Sequence, residues 1–120
     1  MAFSSEAFSD GQSFEDTLEF DVRGKAEVSG NAVRLSVGEI KNGNDRKKAI
    51  FQCLNRLCIM GFAARTIFGE STHLALEAEI FTPLMWDSVS EGEVQQCLDE
   101  NKLLVPPNGS VYIEIIDISS

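Results

Sequence analysis

The residues best suited to chemistry are one histidine and two glutamates in a short segment, His73, Glu77 and Glu79. Apolar and polar residues alternate around them, so residues 72–81 are predicted to form a strand with all three on its polar side. A histidine near carboxylates can bind a metal ion or transfer a proton. The alternative is a solvated strand face, where scattered polar residues are common. An enzyme or ligand-binding domain that uses these residues is one hypothesis.

A second candidate is the basic cluster Arg46, Lys47 and Lys48, which falls at the start of a predicted helix. Cations in a first helical turn oppose the helix dipole, so such a cluster suggests recognition of a phosphate or of a carboxylate-rich surface. The alternative is that these bases pair with acids of the same chain, such as those of residues 15–21. The sequence leaves both readings open.

The third candidate is the single tryptophan, Trp86, which lies between predicted elements. Tryptophan is enriched in protein interfaces, although it can equally close one end of a core. Acidic residues follow it and also crowd the first 22 positions. We therefore predict a partner-binding surface that includes Asp16, Glu19, Asp21, Trp86, Asp87, Glu91 and Glu93.

Sequence motifs of known catalytic and metal sites are missing. There is no glycine-rich phosphate loop, no GxSxG elbow and no CxxC pair, and His73 is the only histidine. We expect no cofactor and no metal, and the sequence favours a protein that is not an enzyme. Cys53, Cys58 and Cys97 form an odd set, and the first two fall in an apolar run. Free thiols suit a reducing compartment, so we expect a cytoplasmic protein.

Charge is the most informative global property of the chain. The net charge is −9 over 120 residues, with −6 in residues 1–22, +6 in residues 23–65 and −9 in residues 66–120. A polyanion would be repelled by most of this surface, so direct nucleic-acid binding is disfavoured. A protein partner with a basic surface fits better. The alternative is that the acidic surface only keeps the protein in solution.

The clearest local structure is a hairpin around Gly30 and Asn31. Two alternating segments flank this turn pair, which suits a two-residue loop. That loop would place Val28 opposite Val33 and Glu27 opposite Arg34, so that apolar residues meet on one face and opposite charges meet on the other. A slip of one residue would destroy every match.

The rest of the chain predicts an α+β fold of order β-β-α-β-β-α-β. A long buried helix over residues 45–63 is expected to pack on one face of a mostly antiparallel sheet. A second hairpin of residues 65–68 and 72–81 follows, then a short helical turn from Thr82-Pro83, a helix over residues 91–101 and a final strand from Val111. Residues 1–12 are predicted to be a flexible acidic tail, and residues 13–120 a single domain.

These features favour a small acidic protein-binding or inhibitory module that blocks a basic partner surface, in the manner of an immunity, antitoxin or phage anti-defence protein. One alternative is a small acidic chaperone or assembly adaptor that grips an apolar segment. Homodimerisation through the terminal strand or the exposed sheet face is a further expectation. No apolar segment approaches the roughly 20 residues that span a bilayer, so no membrane association is expected.

Overall fold

The computed structural model of the protein describes residues 22–119. Four strands form one sheet in the order β1-β2-β3-β4, and two helices connect its last three strands. In chain order the elements are β1 (Val22–Ser29), β2 (Ala32–Ile40), α1 (Arg46–Phe68), β3 (His73–Thr82), α2 (Glu91–Glu100) and β4 (Gly109–Asp117). The fold is therefore α+β, as predicted. The predicted tail of residues 1–12 lies outside the described residues.

The first hairpin has the predicted register. Val28 lies opposite Val33 and Glu27 opposite Arg34 in an antiparallel pair. Gly30 occupies the turn with a φ of 59°, a backbone conformation that glycine adopts without a side-chain penalty. The sequence could predict this pairing because both strands and their turn lie within one short segment.

The helix α1 is longer than predicted, and the strand expected at residues 65–68 is wrong. The helix runs to Phe68, and the buried guanidinium of Arg65 stabilises its last turn. This guanidinium donates hydrogen bonds to the carbonyls of Gly69 and Thr72, each at 2.6 Å, and to the carbonyl of Pro107. These contacts satisfy polar groups just beyond the helix end, which favours helix over strand here.

Because that strand is absent, β3 and β4 do not run in the predicted directions. With no second hairpin, α1 becomes a crossover between β2 and β3, and these strands pair in parallel. The helix α2 is likewise a crossover, and β4 pairs in parallel with β3. The sheet is therefore mixed, and the prediction of a mostly antiparallel sheet is wrong. Parallel neighbours need such a crossover, which in proteins is usually a helix.

The core combines one alternate set of strand residues with residues from both helices. On β2 and β3 every second side chain is buried, beginning at Val33 and Leu74. Leu54 and Leu57 of α1 are fully buried, and Val94 and Leu98 of α2 belong to the same cluster. The prediction of one long covering helix therefore describes only part of the core, because α2 also contributes to it.

The segment between β3 and α2 contains no helical turn, so the turn predicted from Thr82-Pro83 is wrong. Thr82 ends β3, and its hydroxyl oxygen accepts a hydrogen bond from the Leu84 amide at 3.2 Å. The helix α2 begins as predicted, with the Ser90 hydroxyl oxygen accepting from the amide of Glu93. Across residues 22–119, no helix has the length and apolar character needed to cross a membrane.

Candidate functional site

The sheet side chains opposite to the buried set form an exposed surface, which we call the open face. It carries a shallow depression of about 560 Å³. The polar residues that line the depression come from all four strands: Lys25, Glu27, Arg34, Ser36, Glu77, Glu79, Tyr112 and Glu114. The alternation of each strand places them there, because the other alternate set is in the core.

His73, Glu77 and Glu79 share the open face, as the strand period predicts. They do not converge, however. His73 lies at the first position of β3, and Glu77 lies four positions further along the strand, a distance of about 13 Å. His73 instead borders a second depression of about 450 Å³, together with Arg34 and Ser110. A catalytic or ligand-binding role for the three residues stays a prediction.

The two glutamates differ in their neighbours. Glu77 accepts a hydrogen bond from Nε of Arg34 at 2.6 Å and one from the Ser36 hydroxyl at 3.4 Å. Glu79 lies directly opposite Glu114 in the pairing of β3 with β4. Among the side chains that the structure describes, no base forms an ion pair with Glu79 or Glu114. The charge of Arg34 attracts Glu79 at longer range, and the two carboxylates on neighbouring strands leave this part of the open face negative.

An apolar row closes one end of the open face. The register places Ile40 beside Phe81 and Phe81 beside Ile116, across β2, β3 and β4. Ile40 is 53% exposed. The row also needs Gly38, because a Cβ atom there would lie 3.2 Å from the ring of Phe81. The open face thus combines carboxylates with an accessible apolar row.

The basic cluster at the start of α1 contacts acids and carbonyls of the same chain. Arg46 forms an ion pair with Glu93 and donates to the carbonyl oxygens of Asp87 and Ser88, the latter at 3.1 Å. Lys47 lies 4.0 Å from a carboxylate oxygen of Glu100. The charge of Arg46 is therefore balanced within the chain by Glu93, which is not one of the acids of residues 15–21. An anion-binding role for Arg46, Lys47 and Lys48 stays a prediction.

The predicted partner surface is only partly described, because Asp16, Glu19 and Asp21 lie outside the described residues. Trp86 is half-buried and packs against the core. Asp87 and Glu91 are exposed, whereas Glu93 is half-buried against Arg46. The Arg46 hydrogen bond holds the pKa of Glu93 below its ordinary value despite partial burial. Binding of a partner by these residues stays a prediction.

A cluster that the sequence analysis missed surrounds Glu39, a fully buried carboxylate near the end of β2. One of its oxygens lies 2.5 Å from Nη1 of Arg56, and the other lies 3.2 Å from Nζ of Lys41. The thiol of Cys53 donates a hydrogen bond to the Glu39 carboxylate at 3.1 Å. Lys41 also donates to the side-chain oxygen of Gln52 at 3.0 Å. Glu39 belongs to the same alternate set of β2 positions as the buried Val33, Leu35 and Val37. The alternation of the strand could therefore have predicted that Glu39 is buried.

The charges of this cluster determine its ionisation. Burial raises the pKa of Glu39, but the hydrogen bonds from Arg56 and Cys53 and the positive charges of Arg56 and Lys41 outweigh it, so the pKa lies below its ordinary value. Burial raises the pKa of the Cys53 thiol, and the neighbouring carboxylate raises it further. Cys53 therefore stays protonated and is a poor nucleophile. The cluster thus holds a buried carboxylate in its charged form between two bases.

Within residues 22–119, no group of three or more His, Cys, Asp or Glu side chains is arranged to hold a metal ion. Comparisons with protein-family models, with curated proteins and with solved structures find no significant match to this chain. The function must therefore be argued from the surface itself.

Proposed function

We propose that the protein is a binding module that uses its open face to occupy and block a basic surface of another protein. The observation that supports this proposal is the pairing of Glu79 with Glu114 on adjacent strands. Neither carboxylate forms an ion pair among the described side chains, and Arg34 attracts only Glu79, so a basic side chain from another molecule would find uncompensated negative charge here. The chain's net charge of −9 would also speed the approach of a basic partner.

The apolar row supports a protein as the partner. Ile40, Phe81 and Ile116 lie beside the carboxylates, so a complementary surface would carry basic side chains next to apolar ones. Protein interfaces commonly combine a small apolar centre with a polar rim. The acids Asp87 and Glu91 lie at and before the N-terminus of α2, on the helix side of the sheet, and contact of a partner with them is a separate prediction. The role of an immunity, antitoxin or anti-defence protein remains one form that this proposal can take.

The test compares proteins captured from the native host by three baits. The wild-type chain and the charge-matched control E70Q/D99N should capture a partner that E79Q/E114Q loses. Glu70 and Asp99 are exposed but lie outside the open face, so both variants change the net charge equally. The captured protein is then purified and titrated against each variant. We expect E79Q/E114Q to bind it about tenfold more weakly, and high salt to weaken wild-type binding.

Equal binding by E79Q/E114Q and the wild type would overturn the open face as the recognition surface. Binding that does not depend on salt would favour the adaptor alternative. One observation supports that alternative: Ile59 and Phe62 of α1 are 62% and 43% exposed and lie one helical turn apart. An Ile59→Ser variant that loses a partner retained by E79Q/E114Q would identify the protein as an adaptor for apolar segments.

A further inference from the structure

The strand β4 has a strand neighbour on one side only within residues 22–119. The amide of Leu74 bonds to the carbonyl of Asn108 at 2.9 Å, and the amide of Ile118 bonds to the carbonyl of Thr82 at 3.0 Å. Even-numbered residues of this segment therefore direct their backbone groups toward β3. Because the direction alternates along a strand, Val111, Ile113 and Ile115 direct their N–H and C=O groups toward the free edge.

The two edges of the sheet differ in their protection. On β1, Lys25 and Glu27 carry charges and Gly24 interrupts the side chains, which are features that discourage pairing with another chain. The strand β4 has no lysine, arginine or proline, and its run from Val111 to Ile116 contains one charge, Glu114. Such an unprotected edge is a template for another strand.

A groove of about 390 Å³ runs beside this edge, between β4 and α2, and its lining combines apolar residues with Glu91 and Gln95. Val94 and Leu98 line it from the helix, and Val111 and Ile113 line it from the strand. Val111 and Ile115 are only partly buried although they point to the core side. A strand added at the edge would cover these side chains with its own, and the covering residues would need to be apolar.

We propose that the free edge of β4 binds β4 of a second copy of this chain, giving an antiparallel pair and a continuous eight-stranded sheet. Ile113 is the midpoint of β4 (Gly109–Asp117), so a symmetric pairing centred there uses the whole strand. Val111 then lies opposite the partner's Ile115, which is apolar on apolar. Tyr112, which is 49% exposed, lies opposite the partner's Glu114, where its hydroxyl can donate to the carboxylate.

The neighbouring registers match less well. Shifting the symmetry centre to Glu114 places this carboxylate opposite its own copy, and like charges directly opposite repel. Shifting it to Tyr112 leaves Glu114 opposite Ser110 and shortens the overlap. A slip that changes parity would set core-side residues against open-face residues. The register centred on Ile113 therefore combines the longest overlap with the best-matched opposite pairs.

Cysteine pairs test both the dimer and its register. In the proposed register Tyr112 and the partner's Glu114 form a pair without mutual hydrogen bonds, whose Cα atoms lie about 4.5 Å apart, within reach of a disulfide. Y112C and E114C are prepared separately as full chains, mixed, and oxidised mildly. We expect a disulfide between Y112C and E114C chains in the mixture, and little in either variant alone. The native Cys53, Cys58 and Cys97 are buried, and the wild type oxidised under the same conditions controls for them.

The other possible outcomes would contradict either the register or the dimer. Cross-linking of E114C alone or of Y112C alone would overturn the register, because it reports pairing centred on that residue. Light scattering of the wild type across a range of concentrations measures the dimer directly, and a monomer at every concentration would overturn the proposal. Both substituted positions are exposed, and circular dichroism checks that each variant is folded. Neither result depends on whether the open face binds a basic partner. Glu114 belongs to both surfaces, so the single variant Glu79→Gln, on β3, tests the open face without changing the dimer strand.

Discussion

Glu39 is a carboxylate with no exposure to solvent, and such a group is compatible with folding only when its charge is balanced. Arg56 and Lys41 supply that balance, and the Cys53 thiol adds a hydrogen bond. A buried ion pair contributes little compared with a well-packed apolar pair, but removing one partner leaves the other uncompensated. The cluster therefore makes one end of the core sensitive to a single substitution.

We expect Glu39→Gln to lower the free energy of unfolding by about 3 kcal/mol, because it removes the buried carboxylate that balances the charges of Arg56 and Lys41. The control is Glu93→Gln, which removes a partly exposed ion pair with Arg46 and should cost under about 1 kcal/mol. Urea unfolding of both variants measures the difference. A loss at Glu39 no larger than the loss at Glu93 would contradict the role assigned to the cluster.

The same substitution has a signature in pH. The pKa of Glu39 lies below its ordinary value of 4.5 in the folded protein, so the unfolded chain binds the proton more readily. Its contribution to stability is present above pH 4.5 and is lost as the pH falls through the lower folded-state pKa. The unfolding free energy of Glu39→Gln should therefore fall less steeply below pH 4.5 than that of the wild type. Parallel curves would show that the charge of Glu39 does not contribute.

At the scale of elements, the contact of α1 with β3 and with the segment before β4 depends on Gly61. A Cβ atom at this position would lie 2.7 Å from a methyl carbon of Leu76 and 2.9 Å from Pro106. No side chain fits there without displacing one of them. The glycine costs helix propensity, and the close approach of α1 compensates for that cost.

Gly61→Ala and Gly92→Ala form a matched pair, because each replaces a glycine inside a helix. Helix propensity alone predicts stabilisation for either, about 1 kcal/mol in a helix interior and less in the first turn, where Gly92 lies. At Gly92 the nearest atom to a new Cβ is 3.9 Å away, so we expect that variant to gain stability. At Gly61 the clash should reverse the sign and cost about 1–3 kcal/mol. Thermal unfolding measures both, and a gain at Gly61 would contradict the close packing.

How far the sequence predicts these elements depends on the range of the contacts that fix them. The first hairpin is predicted correctly because its strands and turn are contiguous. The end of α1 is not, because Arg65 anchors it to the carbonyl of Pro107, which lies 42 residues away. The error at residues 65–68 then reverses the expected direction of β3 and makes the sheet appear mostly antiparallel. Of the candidate site, the sequence places His73, Glu77 and Glu79 on one face, but not the opposition of Glu79 and Glu114.

At the scale of the whole molecule, we expect the carboxylates of the open face to affect the stability of the fold and the binding of a partner in opposite directions. Glu79 and Glu114 lie opposite one another on β3 and β4, and we expect like charges so placed to repel one another and to attract a basic partner. A substitution that relieves the repulsion should therefore improve the fold and impair recognition. Residues that only keep a protein in solution would not show this opposition.

We expect Glu79→Gln to raise the free energy of unfolding by about 0.5 kcal/mol at low ionic strength, with a smaller gain at high salt. Glu70→Gln makes the same change in net charge at an exposed position in the loop after α1, and it should have little effect. Chemical unfolding at two salt concentrations measures both variants. A loss of stability at Glu79 would mean that this carboxylate has a favourable partner in the monomer.

The two helical crossovers also bear on how the chain folds. The hairpin of β1 and β2 closes over a turn of two residues, whereas Ala32 pairs with His73 and Leu74 pairs with Gly109. Contacts between distant positions require large loops to close, and this loss of entropy slows folding. The hairpin can therefore act as a local nucleus, while β3 and β4 join only after each crossover has formed. Until β4 joins, β3 exposes an apolar edge, so the interval before that last step is when the folding chain is most prone to aggregate.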